Sequence, residues 1–177
     1  NSFVLTMTAD QPYLPITTGY FAAPYAYRFD LTTNTWTRSA SRAPVTDSLA
    51  PTALDPTRGI VWSWSARGDI TSFDLGTDAW STHATDAAID VATTSAIDPD
   101  RRLWVTLDFQ TNHRVLVKDL AHPDARAVAV TTTGATEFQH TGLGCGLEWS
   151  RALGSFVAWR DGGDIYRLVP PATGDWR

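Results

Sequence analysis

Short segments in which hydrophobic and polar residues alternate recur along most of the chain. GIVWSWS at residues 59–65 and ITSFDL at residues 70–75 both follow this period of two, which is typical of half-buried β-strands. The tight turn at residues 66–69 reverses the chain between them and predicts a hairpin. A short apolar strand at 52–54 precedes the hairpin, and an outer strand is expected to begin at Trp80. These elements predict a four-stranded meander of about 44 residues.

The same unit is repeated along the chain. ALDPTRGIVW at residues 53–62 matches AIDPDRRLWV at residues 96–105, with an offset of 43 residues. Related segments predict one unit before this pair and one after it, so the approximate units are 1–47, 48–90, 91–141 and 142–177. A meander that recurs in this way is the pattern of propeller blades. We therefore expect a single all-β domain over residues 1–177, a β-propeller of about four four-stranded blades.

Several motifs in these units resemble kelch-type repeats, the family that includes the propeller domain of galactose oxidase. The resemblance rests on DPTRG at 55–59, FDLTTNTW at 29–36, FDLGTDAW at 73–80, and DGGDIYRL at 161–168 with its double glycine. It covers essentially the whole chain and implies a kelch-like propeller. No motif of this chain matches the copper ligands of galactose oxidase residue by residue. We therefore expect no cofactor and no metal site.

Two arrangements of the predicted blades stay open. In one, the spare strand at Phe3 to Thr8 completes the last blade and closes a small ring. In the other, the chain is an arc of a larger propeller, and the remaining blades come from another segment or from another copy. An open arc leaves two unpaired blade faces, which are expected to associate.

The composition favours β-structure and excludes several classes of partner. The chain has 25 Thr and eight Trp but one Lys and two Glu, which favours sheets over helices. Its net charge is −5 and its basic residues are scattered and form no long run, so no nucleic-acid-binding surface is expected. No apolar run is long enough to span a bilayer. An acidic, threonine-rich, lysine-poor surface is compatible with an extracellular, cell-surface or virus-particle location.

One end of the predicted propeller carries the candidate binding residues. The loops between the second and third strands of each blade emerge at this end, where propellers usually hold a ligand or a partner. These loops combine aromatic residues with arginines, which are enriched at binding hot spots. The predicted ligand-binding residues are Tyr20, Trp64, Arg67, Phe109, His113, Trp159 and Arg160. The Arg67-Gly68-Asp69 triplet matches an adhesion tripeptide, but a hairpin turn that needs a positive φ at Gly68 explains it without a receptor.

No catalytic constellation can be recognised in the sequence. It has no Ser/His/Asp nucleophile motif, phosphate-binding loop or zinc-ligand spacing, and its only glutamates are Glu137 and Glu148. The predicted function is that of a non-catalytic interaction module and not of an enzyme. The module is expected to bind a protein or glycan partner. Its unpaired blade faces are further candidates for self-association or for pairing with additional blades. The alternative is a propeller enzyme or lectin acting on carbohydrate, of the glycosidase, lyase or oxidase kind. Acidic or histidine side chains from at least three units, converging at the axis, would favour the enzyme.

Overall fold

Four antiparallel sheets make up the part of the chain that the computed structural model describes, which is residues 2–7, 25–30, 33–44, 51–90, 93–108, 114–134, 146–159, 163–171 and 176. Sheet 1 contains β1 (Ser2–Met7), β2 (Tyr25–Asp30) and β3 (Thr35–Arg38). Sheet 2 contains β4 (Thr52–Asp55), β5 (Ile60–Trp64), β6 (Ile70–Asp74) and β7 (Ala79–Thr82). Sheet 3 contains β8 (Thr94–Asp98), β9 (Leu103–Asp108), β10 (Arg114–Asp119) and β11 (Val128–Val130). Sheet 4 contains β12 (Gly146–Ser150), β13 (Ser155–Trp159) and β14 (Ile165–Leu168).

Within every sheet the strands are hydrogen-bonded in chain order, as in the predicted meanders. These ranges contain no helix, and therefore none that could cross a membrane. The all-β prediction is confirmed. The strand β1 pairs with β2, with Phe3 opposite Phe29, so it belongs to sheet 1. In the structure, this strand therefore does not complete the last blade.

An aspartate anchors the same turn in sheets 2 and 3. The Asp55 carboxylate accepts the backbone N–H groups of Thr57 and Arg58 at 3.0 and 3.2 Å, and Asp98 binds the corresponding turn in the same way. Each carboxylate also accepts a hydrogen bond from an arginine three residues later, at 2.9 Å for Arg101. Both aspartates are almost completely buried. The repeated sequence motif is thus a repeated turn in which a buried carboxylate holds the backbone.

Neighbouring sheets pack face to face, and this packing supplies the core. We call the side of a sheet that is turned toward the next sheet its following face, and the opposite side its preceding face. The seam between sheets 2 and 3 contains Ala53, Trp62, Trp64, Ile70, Ile89, Ile97, Trp104, Leu116 and Leu120. The seam between sheets 3 and 4 contains Ala96, Val105, Leu107, Val115, Val117, Leu147, Phe156, Ala158 and Trp176. The core is therefore a series of seams instead of one central cluster.

Trp80 and Trp176, which the repeat pattern places at the start of outer strands, pack toward the preceding sheet. Trp80 lies 4.8 Å from Phe73, measured between ring centroids, and its indole N–H donates to the Ser41 carbonyl beyond sheet 1 at 3.3 Å. Trp176 is 9% exposed and lies in the seam between sheets 3 and 4. Trp36, in sheet 1, is 41% exposed. Trp80 thus contacts the segment after sheet 1, and Trp176 contacts sheet 3.

Candidate functional site

The seven predicted ligand-binding residues have different environments. Four of them lie outside the described residues: Tyr20, Phe109, His113 and Arg160. Trp64 is fully buried, and its indole N–H donates to the Ala87 carbonyl at 2.9 Å, so its side chain has no exposed surface for a ligand. Arg67 is exposed, and Trp159 is 40% exposed at the end of β13.

Arg67 lies at the tip of a rigid turn between β5 and β6. The Ser65 hydroxyl accepts the backbone N–H groups of Arg67 and Asp69 at 3.2 and 3.0 Å. Gly68 has φ +93°, which confirms the positive φ expected at this turn, and a Cβ there would clash with the Asp86 carbonyl. Asp86 also donates its backbone N–H to the Gly68 carbonyl at 2.8 Å. The turn is therefore held against the segment that connects sheets 2 and 3, and Arg67 projects from a fixed base.

A second arginine lies at the same end of sheets 2 and 3. Arg114, at the start of β10, donates to the buried Asp108 carboxylate at 2.7 Å and to the Ala88 carbonyl at 2.5 Å. The other Asp108 oxygen accepts the backbone N–H of Asp90 at 2.7 Å. Both Arg114 and the Arg67 turn are thus attached to the connecting segment 83–90. Hydrogen bonds to this segment, from the Arg67 turn in sheet 2 and from Arg114 in sheet 3, therefore fix the backbone of a polar surface.

Trp159 occupies the same position in sheet 4 as Trp64 does in sheet 2. Trp64 is opposite Ile70 in the ladder, and Trp159 is opposite Ile165. The Trp159 ring covers Gly146 so closely that a Cβ at Gly146 would clash with it. In sheet 2 the equivalent tryptophan is buried by sheet 3, whereas no described sheet covers Trp159. Its exposure therefore follows from its place on an uncovered sheet face.

A serine, a histidine and an aspartate meet in the seam between sheets 2 and 3. The Ser72 hydroxyl and His83 Nε2 are 2.9 Å apart, and His83 Nδ1 is 3.9 Å from Asp124 Oδ1. Burial lowers the pKa of His83, Asp124 opposes this effect, and the Lys118 ammonium adds to it. The sequence analysis missed this group because the three residues lie on separate turns and strands. Ser72 is only 8% exposed and the His83–Asp124 distance exceeds a hydrogen bond, so the group acts as a polar contact within the seam.

Other features of the described residues offer little catalytic chemistry. None of their His, Cys, Asp and Glu side chains form a group of three or more that could hold a metal ion. An open groove of 620 Å³ lies between β11 and β14, lined mainly by strand residues, threonines 131–133 and Trp176. This groove contains one charged side chain, Arg167, which is already bonded to Ser155 at 2.7 Å. The groove is therefore a gap beside the third strand of sheet 4 without a reactive group.

Solved structures show which fold this arrangement belongs to. The chain is similar to the periplasmic gluconolactonase PpgL of Pseudomonas aeruginosa, with a TM-score of 0.60, 16% identity, and coverage of 97% of this chain and 51% of that one. It is similar to the hydrazine synthase of Kuenenia stuttgartiensis, with a TM-score of 0.53, 15% identity, and coverage of 81% and 38%. It is also similar to TolB of Acinetobacter baumannii, with a TM-score of 0.52, 14% identity, and coverage of 82% and 34%. No protein-family model and no curated protein sequence matches the chain.

These comparisons correct one prediction and confirm another. The chain spans between about a third and about half of the length of these three proteins. Two of them are enzymes by name, a gluconolactonase and a hydrazine synthase. The prediction that the chain is not an enzyme is therefore wrong in its premise that a propeller without a recognisable motif is non-catalytic. These three structures do not confirm that the repeats are of the kelch type. What the neighbours share with this chain is the β-propeller fold.

Proposed function

We propose that the chain binds a protein partner at the end of the propeller that carries the loops between second and third strands. The observation that supports this proposal is the Arg67 turn, which presents an exposed guanidinium on a backbone held by Ser65, Asp69 and the segment 83–90. A turn whose backbone is already fixed loses little backbone conformational entropy on binding, and arginine is enriched among interface hot spots. Arg114 is partly exposed at the same end and is held by the buried Asp108 carboxylate.

Other predicted residues at this end extend the proposed surface. Tyr20, Phe109, His113 and Arg160 belong to the loops of the same end in the repeat pattern. Aromatic and arginine side chains together are typical of the centre of a protein interface. Trp64 is left out of the proposed surface because it is buried, and Trp159 because its position is that of a seam residue.

An affinity-capture experiment tests the proposal. The chain is immobilised and the proteins it retains from its source extract are compared with those retained by Arg67→Ala. Arg151→Ala is the matched control, because Arg151 is 71% exposed and lies on a turn between first and second strands, at the opposite end. We expect a partner that is lost with Arg67→Ala and kept with Arg151→Ala. Equal retention by both variants would contradict the proposal.

A glycan array run in parallel separates the two classes of partner. Binding to glycans that depends on Arg67, with no Arg67-dependent protein, would show that this end recognises carbohydrate and not protein. Purified partner is then titrated against the wild-type chain and both variants. Loss of a hot-spot arginine typically weakens binding by about 30-fold or more, equivalent to about 2 kcal/mol.

A further inference from the structure

The following face of sheet 4 is exposed at positions that are buried in sheets 2 and 3. In sheet 2 the cross-strand pair Trp64 and Ile70 is 0% and 1% exposed in the seam with sheet 3. In sheet 4 the equivalent pair, Trp159 and Ile165, is 40% and 76% exposed. The two pairs have the same residue types and the same place in the ladder. What differs is the cover, because no sheet of the described residues packs on the second pair.

The seam between sheets 3 and 4 repeats the burial seen in sheet 2. The equivalent pair of sheet 3, Leu107 and Val115, is 3% and 1% exposed beneath sheet 4. At each seam the cover is the preceding face of the next sheet along the chain. Sheet 3 supplies Trp104 to the first seam, and sheet 4 supplies Phe156 to the second. Both seams therefore bury this ladder position with a β-sheet whose preceding face is apolar and partly aromatic.

The neighbouring row of the exposed face carries charge on its two outer positions. It consists of Glu148, Val157 and Arg167, which are opposite one another in the ladders of sheet 4. Glu148 and Arg167 are exposed, and Val157 is half-buried. The matching row of sheet 2 includes Ser72, whose hydroxyl lies 2.9 Å from His83 Nε2 inside the seam. Polar side chains in this row are therefore compatible with a covered face that offers them polar partners.

The length of the similar propellers indicates what kind of element covers such a face. The three solved structures are each about two to three times as long as the part that this chain matches. In a propeller each blade packs on the next one around a central channel. A blade inside a propeller of that length thus has another blade on its following face.

We propose that the following face of sheet 4 binds a further blade of the same propeller, a β-sheet that follows sheet 4 in the same polypeptide. Its preceding face places apolar side chains against Trp159 and Ile165 and polar groups against Glu148 and Arg167. Burial of the exposed apolar pair stabilises this contact. The same polypeptide is the source because the next sheet along the chain is the cover at both existing seams. This surface is a sheet face, distinct from the loop end proposed for partner binding.

Photo-crosslinking in the protein expressed from its complete gene tests the proposal. Ile165 is replaced by the photoreactive residue p-benzoylphenylalanine, and mass spectrometry locates the crosslinked position. We expect a crosslink within one polypeptide, to a strand beyond residue 177. The same replacement at Leu153 is the matched control, because Leu153 is 49% exposed on the turn between β12 and β13 and should not crosslink to that strand.

Three results of this experiment would overturn the proposal. They are a crosslink from position 165 only to residues 1–177, a crosslink to another polypeptide, and no crosslink at all. A complete gene that encodes no further β-sheet after sheet 4 would overturn it as well.

A charge in the proposed seam gives a second test, which does not depend on the crosslinking reaction. On an uncovered face Ile165→Asp should be nearly neutral, because Ile165 is 76% exposed. Beneath a blade the new carboxylate is buried, so we expect the melting temperature of the complete protein to fall by about 5 °C or more. Leu153→Asp should leave it nearly unchanged, and Ile165→Leu should melt close to the wild type. Equal melting temperatures for Ile165→Asp and Leu153→Asp would contradict the presence of a cover.

Discussion

The Lys118 ammonium lies 2.5 Å from an Asp86 carboxylate oxygen, and both side chains are almost completely buried. Lys118 is the only lysine of the chain. It is opposite Trp104 in the ladder of sheet 3, the position that Phe73 occupies in sheet 2, opposite Val61. Its ammonium also donates to the Ala125 carbonyl at 2.7 Å and lies 5.9 Å from the centre of the Trp64 ring. Sheet 3 thus has a member of a buried ion pair at the ladder position where sheet 2 has an aromatic side chain.

Removing one partner of the Lys118–Asp86 pair should lower the free energy of unfolding. Lys118→Met leaves the Asp86 carboxylate buried without its counter-charge, so we expect the free energy of unfolding to fall by about 3–5 kcal/mol. The double variant Lys118→Met/Asp86→Asn removes the charge as well and should be more stable than Lys118→Met alone. Urea denaturation measures both. As a control, Arg151→Ala breaks an exposed pair with Asp100 and should change stability by about 0–1 kcal/mol. A double variant less stable than Lys118→Met would contradict this account.

The stability of the chain should depend on pH through His83. Burial holds the pKa of His83 below its ordinary value of 6.5 in the folded chain; Asp124 partly opposes this effect, and Lys118 adds to it to a smaller extent. The unfolded chain therefore takes up the proton first as the pH falls. The contribution of His83 to the free energy of unfolding is fully present above pH 6.5, and it is lost as the pH is lowered through 6.5 toward the pKa of His83 in the folded state. Denaturation midpoints between about pH 8 and about pH 5 should show this loss.

Two variants identify the source of that pH dependence. His83→Gln keeps a hydrogen-bonding group near Ser72 but does not titrate, so it should flatten the dependence below pH 6.5. His122→Gln is the control, since His122 is exposed and bonded to Asp119 on a surface turn. An unchanged pH profile in His83→Gln would show that another group is responsible.

Replacing Gly68 should destabilise the Arg67 turn by steric conflict. Gly68→Ala combines a φ of +93° with a Cβ that clashes with the Asp86 carbonyl. Gly154→Ala is the matched control, because its φ is +56° and no atom lies within 4 Å of the added Cβ. We expect Gly154→Ala to cost about 1–2 kcal/mol from backbone strain alone, and Gly68→Ala to cost more. Thermal unfolding compares the two, and equal losses would contradict the predicted clash.

The buried turn aspartates Asp55 and Asp98 should contribute similarly to the free energy of unfolding. Asp98→Ala leaves two backbone N–H groups of its turn and the Arg101 guanidinium without their acceptor. We expect it to lower the free energy of unfolding by about 1–3 kcal/mol, and Asp55→Ala to do nearly the same. Chemical denaturation measures both values. A large effect at Asp98 with none at Asp55 would show that the two repeats are not energetically equivalent.

Repetition in the sequence was enough to predict the fold and most strands of sheets 2, 3 and 4. The alternation in residues 59–65 and 70–75 corresponds to β5 and β6, and the repeated Asp-Pro segments correspond to identical turns. Local hydrogen bonding and side-chain periodicity determine these features, so neighbouring residues suffice to indicate them. The propeller follows from the number and spacing of the meanders.

The candidate site was predicted less well, because exposure is not a local property. Arg67 was correctly expected on a turn, since a positive φ at Gly68 follows from the residues around it. Trp64 and Trp159 look alike in sequence, and both end the second strand of a sheet. Whether such a tryptophan is buried depends on a neighbouring sheet that is distant in sequence. The meeting of Ser72, His83 and Asp124 depends on the same seam.

The sequence by itself therefore determined the β-meanders, their turns and their repetition. Only the tertiary structure decided which side chains are covered, that Lys118 and Asp86 are paired, and that Trp159 and Ile165 of sheet 4 are exposed. The physical reason is that strand alternation specifies two faces for each sheet, whereas burial of either face requires another sheet to pack against it.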